Sequence, residues 1–271
     1  MKVSLSQFGH ALSRLLGALI KPCVWTLAAL CWGLFLLGCA PKVASENNQN
    51  ALALGAAATD ILTSRTYQSV TFEVMGPEGH ELSPVAIQKL RDFISTYAQK
   101  PAGVRFVRST VLPTNQLAAS YTLDDLIRIE SQSRRMSSGS GNLVISLLVL
   151  SGASADDRDG RRLLGTTYSA TSIALFKDSI RADAQGQDSD LLEAYVATHE
   201  LGHIMGLREL DNHSHNAGAQ DSDPSSDSKH CDNSRCLMHR IVSYDKLTNI
   251  FQNTLPDIDE RCKNELRQKM R

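Results

Sequence analysis

Residues 195–206 read Tyr195-Val-Ala-Thr-His-Glu-Leu-Gly-His-Ile-Met-Gly206, and they contain the pattern His-Glu-x-x-His within a run typical of an α-helix. Histidines four positions apart lie on one face of a helix, so the imidazoles of His199 and His203 can bind the same metal ion. Glu200 then lies beside the metal, in the position of a general base that accepts a proton from water. The stretch predicts a zinc-dependent hydrolase.

The third metal ligand is not obvious from this stretch. A catalytic zinc ion has three protein ligands and one open position. Gly206 is placed to end the helix and turn the chain, but Glu209, not a histidine, stands three residues later. Either Glu209 binds the metal or an insertion has displaced a histidine. The downstream candidates are His213, His215, His230 and His239.

A polar stretch, residues 208–229, separates Gly206 from His230-Cys231, which is followed after four residues by Cys236-Leu237-Met238. With His199–Gly206, this pattern resembles the archaemetzincins, zinc peptidases of the metzincin type, whose signature is H-E-x-x-H-x-x-G-x-x-H-C, four residues, C-x-M. The resemblance implies that His199, His203 and His230 bind zinc, that Glu200 is the general base, and that Met238 forms a Met-turn beneath the zinc. Residues 208–229 are then an insertion.

The N-terminus has the features of a bacterial lipoprotein signal peptide. Residues 1–38 contain three basic and no acidic side chains, and residues 22–37 are almost wholly apolar. The run ends Leu36-Leu37-Gly38-Cys39-Ala40, which resembles a lipobox, so Cys39 is predicted to carry lipid and to begin the mature chain. The residue after the cysteine is Ala40 and not an aspartate, a pattern that resembles lipoproteins sorted to the outer membrane. We expect a cell-envelope lipoprotein, facing the periplasm or cell surface; an uncleaved signal anchor is the alternative.

Three of the six cysteines follow the motif helix: Cys231, Cys236 and Cys262. The resemblance implies a second, structural zinc site with four thiolates, but no fourth cysteine follows Cys262. One alternative is a three-cysteine site completed by Glu265 or His239. The other, which we favour because the expected compartment is oxidising, is a disulfide from Cys262 to Cys231 or Cys236. We therefore predict one catalytic zinc ion and no second one.

Residues 39–59 are predicted to be a tether, and residues 60–271 a single metallopeptidase domain. Strands are predicted over residues 66–75, 104–111 and 143–150, with one or two more over 165–176. Helices are predicted over residues 84–99, 123–136, 191–205, 244–253 and 257–271. This order indicates an α+β fold. By resemblance it is metzincin-like: a mixed twisted sheet, two helices and the motif helix, then a small C-terminal helical subdomain. Thr171–Phe176 is predicted to be the edge strand that pairs with substrate.

Composition is ordinary for a globular protein, at 42% hydrophobic and 21% charged residues. Removal of residues 1–38 takes the formal net charge from −1 to about −4 and leaves no basic run, which argues against nucleic-acid binding. The expected partners are a peptide or protein substrate, and a membrane through the lipid on Cys39. The alternative function is that of a catalytically weak or inactive metal-binding lipoprotein that acts in partner recognition.

Overall fold

The computed structural model describes residues 53–158, 162–207, 230–231, 233–239 and 255–271. The predicted signal peptide, Cys39 and most of the predicted tether lie outside the described residues. The predicted insertion over residues 208–229 and the helix predicted over residues 244–253 lie outside them too.

Seven strands lie in the described residues: β1 (Ser69–Gly76), β2 (Val104–Val111), β3 (Ser120–Tyr121), β4 (Asn142–Leu150), β5 (Ala153–Ser154), β6 (Gly165–Ser169) and β7 (Ser172–Phe176). Five of them form one sheet in the order β2-β1-β4-β7-β6, while β3 and β5 pair separately. Strands β2, β1, β4 and β7 are parallel, and β6 is antiparallel to β7. The fold is therefore mixed α/β, with a mostly parallel sheet.

The middle strand, β4, confirms the prediction of a central strand buried on both faces. Every residue of β4 after Asn142 is buried. Successive side chains point to opposite faces of a strand, so an uninterrupted apolar run requires cover on both sides, as parallel strands usually have. Ile145 belongs to the core on one face and Leu148 to the core on the other.

Six α-helices lie in the same residues: α1 (Ala58–Leu62), α2 (Pro84–Tyr97), α3 (Leu123–Ser133), α4 (Lys177–Asp183), α5 (Ser189–Ile204) and α6 (Glu260–Lys269). Helices α2 and α5 pack on the Ile145 face of the sheet, and α3 packs on the Leu148 face. Helix α2 begins as predicted, because Ser83 Oγ accepts a hydrogen bond from Ala86 N at 3.1 Å. None of the helices that the structure describes has both the length and the apolar character needed to cross a membrane.

Helix α5 carries the His-Glu-x-x-His pattern and is an interior helix. Thirteen of its 16 residues are buried, so its polar side chains are held largely away from water. The helix starts at a cap formed by Asp188, whose side chain accepts from Asp190 N. Gly206 follows its last turn with φ +88°, and an added Cβ would lie 2.9 Å from Ala58 Cβ. The prediction of a left-handed glycine at this position is confirmed.

The predicted edge strand is wrong. Thr171–Phe176 contains β7, which pairs with β4 on one side and β6 on the other. The region 165–176 forms a hairpin, and its first strand, β6, is the one at the end of the sheet. Strand β6 is mainly polar (Gly-Thr-Thr-Tyr-Ser) and only partly buried, whereas β7 (Ser-Ile-Ala-Leu-Phe) is almost wholly apolar and fully buried. A continuous apolar run is typical of an inner strand, so the local pattern favoured β7 as the inner strand and the prediction did not use it.

Candidate metal centre

Helix α5 presents the two motif histidines on one face. The Nε2 atoms of His199 and His203 lie 3.2 Å apart. The Nδ1 atom of His199 lies 2.8 Å from the carbonyl oxygen of Leu237. Because a carbonyl oxygen only accepts, this contact requires the His199 proton on Nδ1 and leaves the Nε2 lone pair for a metal ion.

His230 contributes a third imidazole from a separate segment of the chain. One ring nitrogen from each of His199, His203 and His230 lies within 4.8 Å of the other two. The ring centroid of His230 is 5.3 Å from that of His199 and 5.0 Å from that of His203. The structure thus brings together the three residues that the sequence suggested as zinc ligands. Among the described residues this group does not include His239, while Glu209, His213 and His215 lie outside the described ranges.

These three side chains fit a catalytic zinc ion. Imidazole nitrogen binds zinc at about 2.0–2.1 Å, and three protein ligands leave one tetrahedral position open. Two nitrogens at that distance and at a tetrahedral angle are about 3.3 Å apart, and the Nε2 atoms of His199 and His203 are 3.2 Å apart. Both the chemistry of the donors and their spacing match a three-histidine site.

The segment after His230 packs against α5. Cys231 N donates to the carbonyl oxygen of Met238 at 2.8 Å, which closes the segment into a turn. Met238 is fully buried, and a Cβ added to Gly202 would lie 2.4 Å from its Sδ. The predicted Met-turn residue therefore contacts the helix between the two histidines. Its relation to a bound metal stays a prediction.

Glu200 is buried beside the histidines and bonded to strand β6. The residue is 7% exposed, and Thr167 Oγ1 lies 2.9 Å from both its Oε2 and its backbone oxygen. Burial raises the pKa of Glu200 to about 7, and the hydrogen bonds from Thr167 oppose this rise. A carboxyl with a pKa near neutrality can accept and return protons near pH 7, as a general base must. The sequence identified Glu200 but gave no signal for Thr167.

A second group of candidate metal ligands begins at the residue after His230. The sulfurs of Cys231, Cys236 and Cys262 and a carboxylate oxygen of Asp259 all lie within 4.8 Å of one another. The Cys236 and Cys262 sulfurs are 3.8 Å apart, against about 2.05 Å in a disulfide, and none of the three cysteines forms a disulfide. The structure does not contain the disulfide favoured from sequence, because the three sulfurs meet at a shared centre.

Asp259 is the fourth member of this group; Glu265 and His239, the residues considered in the three-cysteine alternative, lie outside it. Its carboxylate caps α6: Oδ1 accepts from Cys262 N at 2.9 Å, and Oδ2 accepts from the Cys231 thiol at 3.3 Å. A sequence signal for Asp259 does exist. Asp259 and Cys262 have the spacing of a Cys-x-x-Cys pair, with an aspartate in place of the first cysteine.

Cys236 is surrounded by donors that favour its thiolate. Met238 N and Asp259 N donate to its sulfur at 3.4 and 3.3 Å. Hydrogen bonds from the thiols of Cys231 and Cys262 hold the pKa of Cys236 well below that of an ordinary thiol. The thiolate is the form of cysteine that binds metals, so the four side chains fit a closed metal site.

In sequence, the chain matches no protein-family model and no curated protein. Solved structures similar to it include archaemetzincin from Methanopyrus kandleri, with 16% identity, a TM-score of 0.47, and coverage of 76% of this chain and 97% of that chain. A zinc-dependent peptidase from Methanocorpusculum labreanum also has 16% identity and a TM-score of 0.47, covering 72% of this chain and 99% of that chain.

Proposed function

We propose that this chain is a zinc-dependent metallopeptidase similar to the archaemetzincins, with His199, His203 and His230 as zinc ligands and Glu200 as general base. One observation carries the proposal: three imidazole nitrogens lie within 4.8 Å of one another on and beside a helix whose Glu200 is 7% exposed. Three protein ligands with an open position are typical of catalytic zinc, whereas structural sites have four.

The chain's own residues supply orientation and proton transfer. A bound zinc ion acts as a Lewis acid that activates water and polarises the substrate carbonyl. Glu200 accepts a proton from the attacking water and donates it to the leaving amine nitrogen, which returns Glu200 to its carboxylate form. The hydrogen bond from His199 Nδ1 to Leu237 O, at 2.8 Å, fixes the orientation of that ring.

An extended peptide is the substrate that this arrangement suits. Strand β6 ends the sheet, and among the described strands only β7 pairs with it. Its other edge therefore offers backbone groups to which an extended chain can add as a further strand. Thr167 of β6 lies 2.9 Å from the Glu200 carboxylate, so a peptide along β6 would pass beside the general base. This role of β6 replaces the one predicted for Thr171–Phe176.

The test is Glu200→Gln in the purified protein, with hydrolysis of a peptide library and zinc content as readouts. We expect zinc content to be unchanged and hydrolysis to fall by about 10²- to 10⁴-fold, the usual contribution of a general acid–base group. Glu78→Gln, at an exposed position, removes the same charge and should have no effect. Wild-type hydrolysis should stop with a chelator and return with zinc. An active Glu200→Gln variant would refute the mechanism, and zinc binding without any hydrolysis would favour the partner-recognition alternative.

We further propose a second, structural zinc site formed by Cys231, Cys236, Asp259 and Cys262. What supports it is the approach of their ligand atoms to within 4.8 Å of one another. Four protein ligands close the coordination sphere, so this site would stabilise structure and not bind substrate. The chain would then hold two zinc ions, one more than the sequence alone suggested.

The cellular location is proposed from the sequence alone. The run Leu36-Leu37-Gly38-Cys39-Ala40 supports lipid attachment at Cys39 and anchoring in the cell envelope, most simply the outer membrane. Cys39→Ala should abolish incorporation of labelled fatty acid into the protein and release it from the membrane fraction. A variant that keeps the label would contradict the assignment.

A further inference from the structure

Strand β6 and helix α5 approach each other closely at the general base. A Cβ added to Gly165 would lie 2.7 Å from Val196 Cγ1 and 3.1 Å from Glu200 Cγ. Side chains two residues apart share a face of a strand, so Thr167 is directed to the same helix as Gly165. The absence of a side chain at Gly165 is therefore what lets Thr167 reach Glu200.

The hydroxyl of Thr167 contacts two oxygens of one residue. Thr167 Oγ1 lies 2.9 Å from the backbone oxygen of Glu200 and 2.9 Å from its Oε2. A hydroxyl has one proton to donate and lone pairs that accept. It can donate to the carboxylate, or donate to the backbone oxygen while accepting from a protonated carboxyl. The contact therefore holds the Glu200 side chain in one place both before and after proton transfer.

The pairing of β6 with its neighbour changes directly after this residue. Thr167 pairs with Ile173, and the register then shifts before Ser169 pairs with Ser172. Such irregularities bend a strand and redirect its side chains, and they often occur beside active sites. The shift ends the regular part of β6 at the residue that contacts the general base.

We propose that Thr167 is a positioning residue that fixes the Glu200 carboxylate relative to strand β6, and hence relative to a peptide bound along that strand. This inference rests on the proposed peptidase function and deepens it. In this role Thr167 acts on neither the metal nor the substrate; it acts through the Glu200 carboxylate. It aligns the general base with the strand that presents the scissile bond.

The test uses Thr167→Val, which keeps the shape of the side chain and removes its hydroxyl, and Thr167→Ser, which keeps the hydroxyl. Hydrogen bonds to charged groups are among the stronger ones in proteins, so loss of the bond to the Glu200 carboxylate should lower kcat by about 10- to 100-fold in Thr167→Val. KM should change by less than about threefold and zinc content should not change, since substrate pairing and the metal ligands are untouched. Thr167→Ser should restore most of kcat.

A matched control removes a similar bond away from the site. Thr110 Oγ1 donates to Ser133 O at 2.8 Å, and Thr110→Val should leave kcat unchanged. In a Glu200→Gln background, Thr167→Val should lower the residual activity no further, because residues that act through one group are not additive. Unchanged kcat in Thr167→Val, failure of rescue by serine, or an additive loss in the Glu200→Gln background would each overturn the proposal.

A second readout separates this proposal from the peptidase proposal. In protein labelled with ¹³C-glutamate, the infrared carboxylate band that Glu200→Gln removes should shift in Thr167→Val and return in Thr167→Ser. If wild-type protein binds zinc but hydrolyses nothing, the peptidase proposal fails, and the infrared band still reports whether Thr167 holds Glu200. A band that does not move would overturn the positioning role whatever the activity.

Discussion

Replacing Gly202 by alanine tests the packing of the 230–238 segment against helix α5. The new Cβ would lie 2.4 Å from Met238 Sδ and 3.1 Å from its Cε, whereas atoms in favourable contact are about 3.5–4.0 Å apart. Met238 is fully buried, so its sulfur would have to move by about 1 Å or more within a packed core. Such overpacking costs about 1–3 kcal/mol, and the helix preference of Ala over Gly returns about 1 kcal/mol. The expected net loss in the free energy of unfolding is about 1 kcal/mol.

The assay is urea unfolding of chelator-treated protein for the wild type, Gly202→Ala, Met238→Ala and the double variant. Met238→Ala alone should cost about 2–5 kcal/mol because it leaves a cavity. In that background the added methyl group meets no sulfur, so Gly202→Ala should become neutral or stabilise by up to about 1 kcal/mol. The double-mutant cycle should give a coupling free energy of about 1–3 kcal/mol, in the sense that the two substitutions together cost less than the sum of their separate costs. If Gly202→Ala has the same effect in both backgrounds, Met238 does not pack against Gly202.

The remaining predictions concern metal binding and pH. His230→Ala should lose the catalytic zinc while His213→Ala keeps it, as measured by metal analysis; the reverse result would move the third ligand into the insertion. Asp259→Ala should lose one zinc equivalent and Asp259→Cys should keep both; equal zinc content in wild type and Asp259→Ala would contradict the second site. In metal-free protein, the pKa of Glu200 is raised from 4.5 to about 7, so the folded state holds this proton more tightly than the unfolded state does. The contribution of Glu200 to the free energy of unfolding is therefore fully present below pH 4.5 and falls by about 3 kcal/mol as the pH rises to 7. Glu200→Gln should lack this decline. If the free energy of unfolding has the same pH dependence in the wild type and in Glu200→Gln, the prediction is wrong.

The features that the sequence predicted well depend on local physics. Strand β2 occupies Val104–Val111 as predicted, because a run rich in β-branched residues ends just before Pro113. Helix α2 begins at Pro84 behind its Ser83 cap, and Gly206 ends the motif helix. In each case the residues that determine the element lie within a few positions of one another. The two motif histidines belong to the same class, because helix periodicity alone puts them on one face.

The features that the sequence missed are contacts between distant residues. Thr167 and Glu200 are 33 positions apart, and their contact depends on how a hairpin packs on a helix. Asp259 joins three cysteines only when α6 returns to the 231–236 segment. The wrong edge strand is a different case, because the apolar run Ile173–Phe176 is itself typical of an inner strand. The Thr167–Glu200 contact leaves no signal in the sequence, whereas Asp259 leaves only its spacing from Cys262.

The two candidate metal centres depend on the same short segment. His230 is followed directly by Cys231, and Cys231 N bonds to Met238 O at 2.8 Å. Leu237, next to Cys236, accepts from His199 through its carbonyl oxygen at 2.8 Å. A metal that fixes the cysteines would therefore also fix the third histidine and the carbonyl that orients the first. On this reasoning the predicted insertion need not disrupt the proposed site, because the described residues on its two sides are placed separately: Leu207 lies close behind α5, and His230 directly precedes Cys231.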